Sequence, residues 1–418
     1  MYENEEIMER ALLVAVDLGE YDIEASLDEL AELAQTAGIE TVARLTQKRT
    51  GLNNATCIGS GKLEEMAAFV QSEEVNIVIF DHELSATQIR NLEKVCAIPV
   101  IDRTMLILEI FSQHANTSEG RVQVELARHR YLLPRLSGMN EGLSRLGGGG
   151  GGGSGARRGA GETRLEINRR TVRRNMQKLS QQLAELEARR NMMRQKRRKD
   201  GVSVVAIMGY TNVGKSTLLN KLTDAGVLTE DKLFATLDPT ARALSLPDGR
   251  NVMLIDTVGL VRRLPHHLVE AFKSTLEEAL FADLLLNVCD ISNPEYSIQA
   301  EVTNRLLEDL GVGDTPVLTV LNKADKNPEP PLAVGKNAVV ISAKTGAGLE
   351  DLLQKICVLL EPRQKKMLLL LPYDKSGLIT QIKEEGKILS QEYVEEGIRL
   401  EAMVDYRLYS RAEPFLCE

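Results

Sequence analysis

The chain has 418 residues, 43% of them hydrophobic and 27% charged, with a formal net charge of −9. That balance belongs to a folded protein with room for two to four domains and excludes a disordered or fibrous chain. It also excludes a surface that is basic throughout, and no apolar run approaches the roughly 18 residues of a membrane span. The five cysteines (Cys57, Cys96, Cys289, Cys357, Cys417) are scattered, odd in number and never in a C-x-x-C pair. With the acidic start Met1-Tyr2-Glu3-Asn4-Glu5-Glu6 in place of a basic leader, the expected location is a reducing cytoplasm, without disulfides or a zinc site.

From residue 1 to 103, short apolar runs alternate with helical patterns. Strands are expected at Ala11–Val16, Glu40–Leu45, Val75–Phe80 and Ile98–Ile101. Helices are expected at Leu27–Ala37, with Ser26 as N-cap, and at Lys62–Gln71 and Ala86–Val95. The alternation predicts a small α/β domain with a parallel sheet. Gly59-Ser60-Gly61-Lys62 lacks the spacer of a phosphate loop and reads as a turn opening a helix.

Residues 104–200 change character. Val122, Leu126, His129, Leu133 and Leu136 form one helical seam. Leu165, Val172, Met176, Leu179, Leu183, Leu186 and Met193 form a second. Two such helices make an antiparallel hairpin, or two amphipathic helices laid on a core. Their connection, about 137–161, holds seven consecutive glycines, Gly147–Gly153, then Arg157 and Arg158. Between Ala156 and Lys199 there are 15 Lys and Arg against 4 Glu, a local charge of +11. A glycine tip on a basic stalk suits phosphates or folded RNA, while a plain flexible linker would need neither the arginines nor the stalk.

Residues 201–362 carry the chemistry. Gly209-Tyr210-Thr211-Asn212-Val213-Gly214-Lys215-Ser216 has the spacing G-x-x-x-x-G-K-[ST], after an apolar strand and before a helix. Its glycines let backbone N–H groups converge on phosphate, Lys215 reaches the β- and γ-phosphates, and the Ser216 hydroxyl suits Mg²⁺. A hairpin at Pro247-Asp248-Gly249-Arg250 leads into Asp256-Thr257-Val258-Gly259. There Asp256 can hold Mg²⁺ through water and the Gly259 N–H can meet the γ-phosphate. Between these motifs lies Phe234-Ala235-Thr236-Leu237-Asp238, where Thr236 can add a second hydroxyl to Mg²⁺. Further strands, Leu284–Cys289, Val317–Leu321 and Val339–Ile341, deliver Asn322-Lys323-Ala324-Asp325 and Ser342-Ala343-Lys344. Asp325 can accept from guanine N1–H and N2–H₂, which adenine cannot supply, so the base is read as guanine. Leu260 stands where Ras-type enzymes carry the glutamine that orients water, so unaided hydrolysis is expected to be slow.

Residues 363–418 read as strand (Met367–Leu371), helix (Ile379–Glu385), strand (Ile398–Asp405) and strand (Tyr406–Arg411), a small α+β appendage. The whole is an α/β multidomain chain: an α/β domain (1–103), a helical hairpin (104–200), a P-loop GTPase domain (201–362) and the appendage (363–418).

Taken together, the motifs resemble the HflX family of translation-factor-class GTPases. The most specific stretches are Glu119–Leu126, Leu132–Leu136, Gly161–Glu166, Gly209–Asn212, Phe234–Thr240, Leu264–His266 and Ser274–Glu278. The resemblance implies a cytoplasmic, monomeric GTPase that binds the large ribosomal subunit, with hydrolysis stimulated there and a role in splitting or rescuing stalled ribosomes under stress. It also implies that the glycine-rich loop reaches rRNA. Mg²⁺ would go to Ser216 and Thr236, with Lys215, Thr236 and Gly259 serving catalysis. Leu260 departs from the family's usual phenylalanine, and Ala160 from its usual loop proline. A regulatory G-protein whose basic hairpin meets a protein or a membrane surface is the competing reading.

Overall fold

The computed structural model describes residues 9–136, 158–199, 201–223, 233–234, 240–263, 268, 280–309, 311–312, 315–327, 336–360, 365–375, 377–404 and 406–417. The chain divides into two compact units. The first comprises residues 1–184, 230–238 and 261–273, and the second comprises 185–229, 239–260 and 274–418.

The first unit is built on a four-stranded parallel sheet of β1 (Glu9–Asp17), β2 (Ile39–Lys48), β3 (Ile77–Phe80) and β4 (Val100–Asp102), in the order β2-β1-β3-β4. The central strands β1 and β3 are continuous apolar runs, as expected where helices cover both faces. The helices are α1 (Ile23–Thr36), α2 (Ser60–Ser72), α3 (Ala86–Cys96), α4 (Arg103–His114) and α5 (Ser118–Arg135). The cap of α1 is Asp22, whose carboxylate accepts from the N–H groups of Glu24 and Ala25. Ser26, expected as that cap, lies inside the helix, and its hydroxyl donates to Asp81. The Gly59–Lys62 stretch does open a helix, and its glycine N–H is satisfied by Gln47.

Helix α5 buries the expected seam only in part. Leu126 is buried, Val122, His129, Leu133 and Leu136 are half-buried, and Gln123, Val124, Ala127, Tyr131 and Arg135 turn inward beside them. The Arg135 guanidinium decides the matter. It donates to the Leu84 carbonyl at 3.1 and 2.8 Å and to Glu83 at 2.9 Å, so α5 packs on this domain through a polar anchor.

A 42-residue helix, α6 (Arg158–Lys199), follows. It begins inside the expected loop, and the glycines 147–153 with Arg157 lie outside the described residues. Its seam behaves as predicted over Val172, Met176, Leu179, Leu183 and Leu186, which are buried or half-buried. Met193, at the end of that seam, is exposed.

The second unit holds a six-stranded sheet of β5 (Ser203–Gly209), β6 (Thr240–Ser245), β7 (Asn251–Asp256), β8 (Leu284–Asp290), β9 (Val317–Asn322) and β10 (Ala338–Val340). Its order is β10-β9-β8-β5-β7-β6, parallel except for the β6–β7 hairpin. Helices α7 (Lys215–Thr223), α8 (Tyr296–Asp309) and α9 (Leu349–Leu359) accompany it. A three-stranded antiparallel sheet of β11 (Lys365–Leu371), β12 (Lys387–Val394) and β13 (Gly397–Val404) follows, with helices α10 (Gly377–Glu385) and α11 (Tyr406–Ala412). Two expectations fail here. Tyr406–Arg411 is helical, because Leu408 and Ala412, four residues apart, both seat in the core beside Leu369 and Leu400. Strand β12 was not foreseen, being an edge strand with a register shift between Ile388 and Ser390 and little apolar alternation.

Candidate nucleotide site

Strand β5 is buried along its length and ends at Gly209, where the chain turns sharply before α7. Gly209 sits at φ +145°, and a Cβ there would run into the Val288 carbonyl oxygen. Gly214 sits at φ +91°, and a Cβ would lie 2.5 Å from Asn322 Nδ2. Both positions therefore require glycine, for conformation and for room. Tyr210, Thr211 and Val213 of the same turn are buried, and Asn212 adopts φ +60°. Helix α7 opens at Lys215, so its N–H groups and partial positive charge face this turn.

Lys215 is only 7% exposed, and its ammonium donates to the carbonyls of Gly209 (3.1 Å) and Tyr210 (2.6 Å). Burial pushes its pKa down from 10.5 to about 8, partly opposed by the charge of Asp256. A buried ammonium held by neutral carbonyls is a receptor for an anion, whose arrival would restore its full charge.

The end of β7 closes the other side. Asp256 and Thr257 are buried, and Thr257 Oγ1 donates to the Ile207 carbonyl at 2.8 Å. Ser216 Oγ donates to Asp256 Oδ2 at 2.7 Å, which brings a hydroxyl and a carboxylate together as hard oxygen donors suited to Mg²⁺. Among the described residues, no group of three or more His, Cys, Asp or Glu could hold a metal ion. Val258 is buried, and Gly259 packs so closely that a Cβ would lie 2.7 Å from Thr211 Cγ2 and 3.0 Å from Lys215 Nζ. Leu260 offers no side-chain polar group, yet its backbone ties this loop to the glycine turn. Its N–H donates to Gly209 at 3.1 Å, and its carbonyl accepts from Thr211 at 2.8 Å.

Further along the sheet, Asn322 is 2% exposed and bonded at both ends of its amide. Its Nδ2 donates to the Val213 carbonyl at 2.7 Å, and its Oδ1 accepts from the Ala343 N–H at 2.9 Å. It therefore joins the glycine turn to the loop Ser342-Ala343-Lys344. Lys323 takes φ +62° and pairs with Asp290 at 2.7 Å, and the Ala324 N–H is held by Ile341. Asp325 is exposed, and one of its oxygens accepts from Ser342 Oγ at 2.6 Å. That hydrogen bond, with help from Lys344 and Lys326, lowers the Asp325 pKa and keeps the group an acceptor. Ser342 is buried and Lys344 exposed.

Of the residues expected at the site, those following β5 and β7 and those following β9 and β10 are thus gathered at the strand ends of one sheet, on either side of β8. Phe234 is buried edge-on against Phe111, with ring centroids 4.6 Å apart, inside the first unit. Ala235, Thr236, Leu237 and Asp238 lie outside the described residues. Asp290 was missed. It follows the apolar run Leu284–Cys289 directly, and a strand-end acid beside the N-K-x-D strand was a readable sign.

Comparison with known proteins agrees with this geometry. Residues 24–112 match the family described as GTP-binding GTPase N-terminal, 114–197 the GTP-binding GTPase middle region, and 204–323 the 50S ribosome-binding GTPase. The GTPase HflX of Caldanaerobacter subterraneus is 48% identical over 98% of this chain and 94% of its own length. The chain belongs to the GTPase HflX family. The HflX of Lacrimispora saccharolytica is 45% identical over 98% of this chain and 97% of its own. That of Escherichia coli is 38% identical over 100% and 99%. As an HflX GTPase, the chain binds guanine nucleotide and hydrolyses GTP, on a P-loop fold preceded by its own N-terminal domain.

Proposed function

We propose that this GTPase is a Mg²⁺-dependent switch that docks on the large ribosomal subunit through its basic arm, and that it splits or rescues stalled ribosomes under stress. The observation that carries the reading is helix α6. Arg170, Arg173, Arg174, Lys178, Arg189 and Lys196 are exposed along it, while Leu179 of its apolar seam is buried and Val172, Met176, Leu183 and Leu186 are half-buried. Such a rod can neutralise phosphates along an RNA surface. The description of residues 204–323 as a 50S ribosome-binding GTPase supports the same partner. In this reading the protein is a cytoplasmic monomer made of the four parts 1–103, 104–200, 201–362 and 363–418.

At the site, the backbone of Gly209 through Gly214 and the Lys215 ammonium hold phosphates. The hydroxyls of Ser216 and Thr236 would hold Mg²⁺, with Asp256 behind them, and the ion when bound would supply positive charge to neutralise the phosphates. Gly259 offers its N–H to the γ-phosphate, and Asp325 accepts from guanine while the Ser342–Lys344 backbone meets the base oxygen. Asn322 supports both halves. Leu260 cannot orient water through its side chain, so hydrolysis is slow until the ribosome supplies what is missing.

Sedimentation with purified large subunits tests the docking. The protein should pellet with subunits in a non-hydrolysable GTP analogue and be released in GDP. The retained fraction should fall steeply as salt rises from 50 to about 200 mM. Equal behaviour in both nucleotides, or retention on anionic vesicles in place of subunits, would overturn it.

A further inference from the structure

The last residue of β8, Asp290, lies beside Asn322 in the β8–β9 register, one residue short of Lys323. Its carboxylate is divided between two partners. Oδ2 pairs with the Lys323 ammonium at 2.7 Å, while Oδ1 accepts from the Ser292 N–H at 2.9 Å and from the Ser292 hydroxyl. The backbone fixes the same corner. The Ile291 N–H donates to the Asn322 carbonyl at 3.1 Å, and the Asn293 N–H donates to the Asp290 carbonyl at 3.1 Å. Cys289, Ile291 and Leu321 form a small apolar cluster beside it. The carboxylate is therefore held by its own strand end as well as by the lysine.

Lys323 is under two constraints. Its backbone is left-handed, at φ +62°, a conformation that persists at a non-glycine residue only where the surroundings over-determine it. Its side chain is only 19% exposed, against 14% for Asp290, so solvent screens this pair less than it would a surface pair. On either side stand the residues that build the base site. Asn322 reaches the Val213 carbonyl and the Ala343 N–H, and Asp325, two residues beyond Lys323, accepts from Ser342. The turn Ala324–Lys326 follows at once, with the Ala324 N–H on the Ile341 carbonyl. A lysine without a partner samples many rotamers and loses that freedom only at a cost in entropy. Drawn back to Asp290, the four-carbon stem of Lys323 is ordered in advance, as an apolar strip beside the Asp325 acceptor.

We propose that Asp290 is a positioning residue for the guanine base: through its ion pair with Lys323 it sets the floor of the base site before nucleotide arrives. The proposal rests on the reading of Asn322–Asp325 as the base site and adds the residue that orders it. A planar base needs an apolar surface to lie on as well as the Asp325 carboxylate at its edge. Without Asp290, binding itself has to order the lysine stem, and affinity falls accordingly. The base is the same in GDP and GTP and does not change during hydrolysis. The loss is therefore uniform, equal for both nucleotides and expressed in KM, with kcat untouched.

The test is equilibrium titration of the full-length protein and its Asp290→Asn variant with fluorescent GDP and a fluorescent non-hydrolysable GTP analogue, with steady-state GTP kinetics beside it. The amide is nearly isosteric with the carboxylate and keeps an acceptor for Ser292, so the corner is retained, and circular dichroism checks the fold. Both affinities should fall by one factor, about 2- to 12-fold, the range for ordering a single rotamer-rich side chain. KM for GTP should rise by that factor with kcat unchanged. Lys323→Met keeps the stem without the charge. In that background Asp290→Asn should bring no further loss, as it must if Asp290 acts through Lys323. Unchanged affinity in Asp290→Asn, a full further loss on top of Lys323→Met, or a loss confined to one nucleotide overturns the proposal. Asp325→Asn in the same titration tests the site itself. Unchanged guanine affinity there sinks the base-site reading, whereas a loss there with none in Asp290→Asn sinks the positioning role alone.

Discussion

Lys215 gives a quantitative prediction. In the free protein its pKa lies at about 8, not 10.5, because its ammonium is buried among carbonyls. That displacement corresponds to about 3 kcal/mol by which burial disfavours the charged form. Nucleotide phosphates restore the charged form, so binding must take up protons above about pH 8. With a bound-state pKa back in the ordinary lysine range, uptake should be about 0.75 proton per GTP at pH 8.5 and about 0.1 at pH 7. The sign for the free protein follows from the same shift. Between about pH 8 and 10.5 the unfolded chain holds more protons, so stability gains from this group as pH rises. Calorimetric titration with GTP and Mg²⁺, in two buffers of different ionisation enthalpy, reads the uptake directly. Uptake at pH 8.5 no greater than at pH 7 would refute the reasoning.

Three further outcomes follow from the geometry. If Asp325 accepts from guanine N1–H and N2–H₂ as proposed, Asp325→Asn should lower GTP affinity on the order of 100-fold while xanthosine triphosphate gains, as competition binding would show. Gly214→Ala forces a Cβ to 2.5 Å from Asn322 Nδ2 at a φ of +91°. Strain of about 1–3 kcal/mol should appear as a loss of nucleotide affinity of about 5- to 150-fold, measured by fluorescence titration alongside circular dichroism. Arg250 donates to the Cys357 and Leu360 carbonyls at 2.7 Å each, capping the C-terminal end of α9. Arg250→Ala should cost about 1–2 kcal/mol, a drop of a few degrees in Tm by calorimetry, with GTP affinity unchanged.

The glycine turn, the D-x-x-G loop and the N-K-x-D strand end were legible because phosphate and guanine chemistry dictate both residue type and spacing. The parallel sheets were legible too, since the cores of β1, β3 and β5 are unbroken apolar runs and β8 is interrupted only by the buried Asn287. What escaped depends on distant partners. Ser26 looks like a helix cap until Asp22 is seen to hold the N–H groups, leaving the serine for Asp81. Helix α5 buries Leu126 of the expected seam but shifts its inward face toward Val124, Tyr131 and Arg135, because Arg135 is anchored on Leu84 and Glu83, which no periodicity reveals. Strand β12 is mostly exposed, and Tyr406–Ala412 carries too short a pattern to separate helix from strand. The Asp81–Arg263 pair spans 182 residues of sequence, so neither member announces the other. Leu260 was read through its side chain alone, whereas its backbone is what binds the loop to Gly209 and Thr211.

The central claim is a GTP switch that is a poor catalyst alone and is completed by the large ribosomal subunit. Its most direct test is steady-state GTP turnover by the full-length protein with and without purified large subunits, in Mg²⁺ at physiological salt. Turnover should be slow in isolation and rise at least tenfold at saturating subunits. The same slow rate with and without subunits would contradict the account.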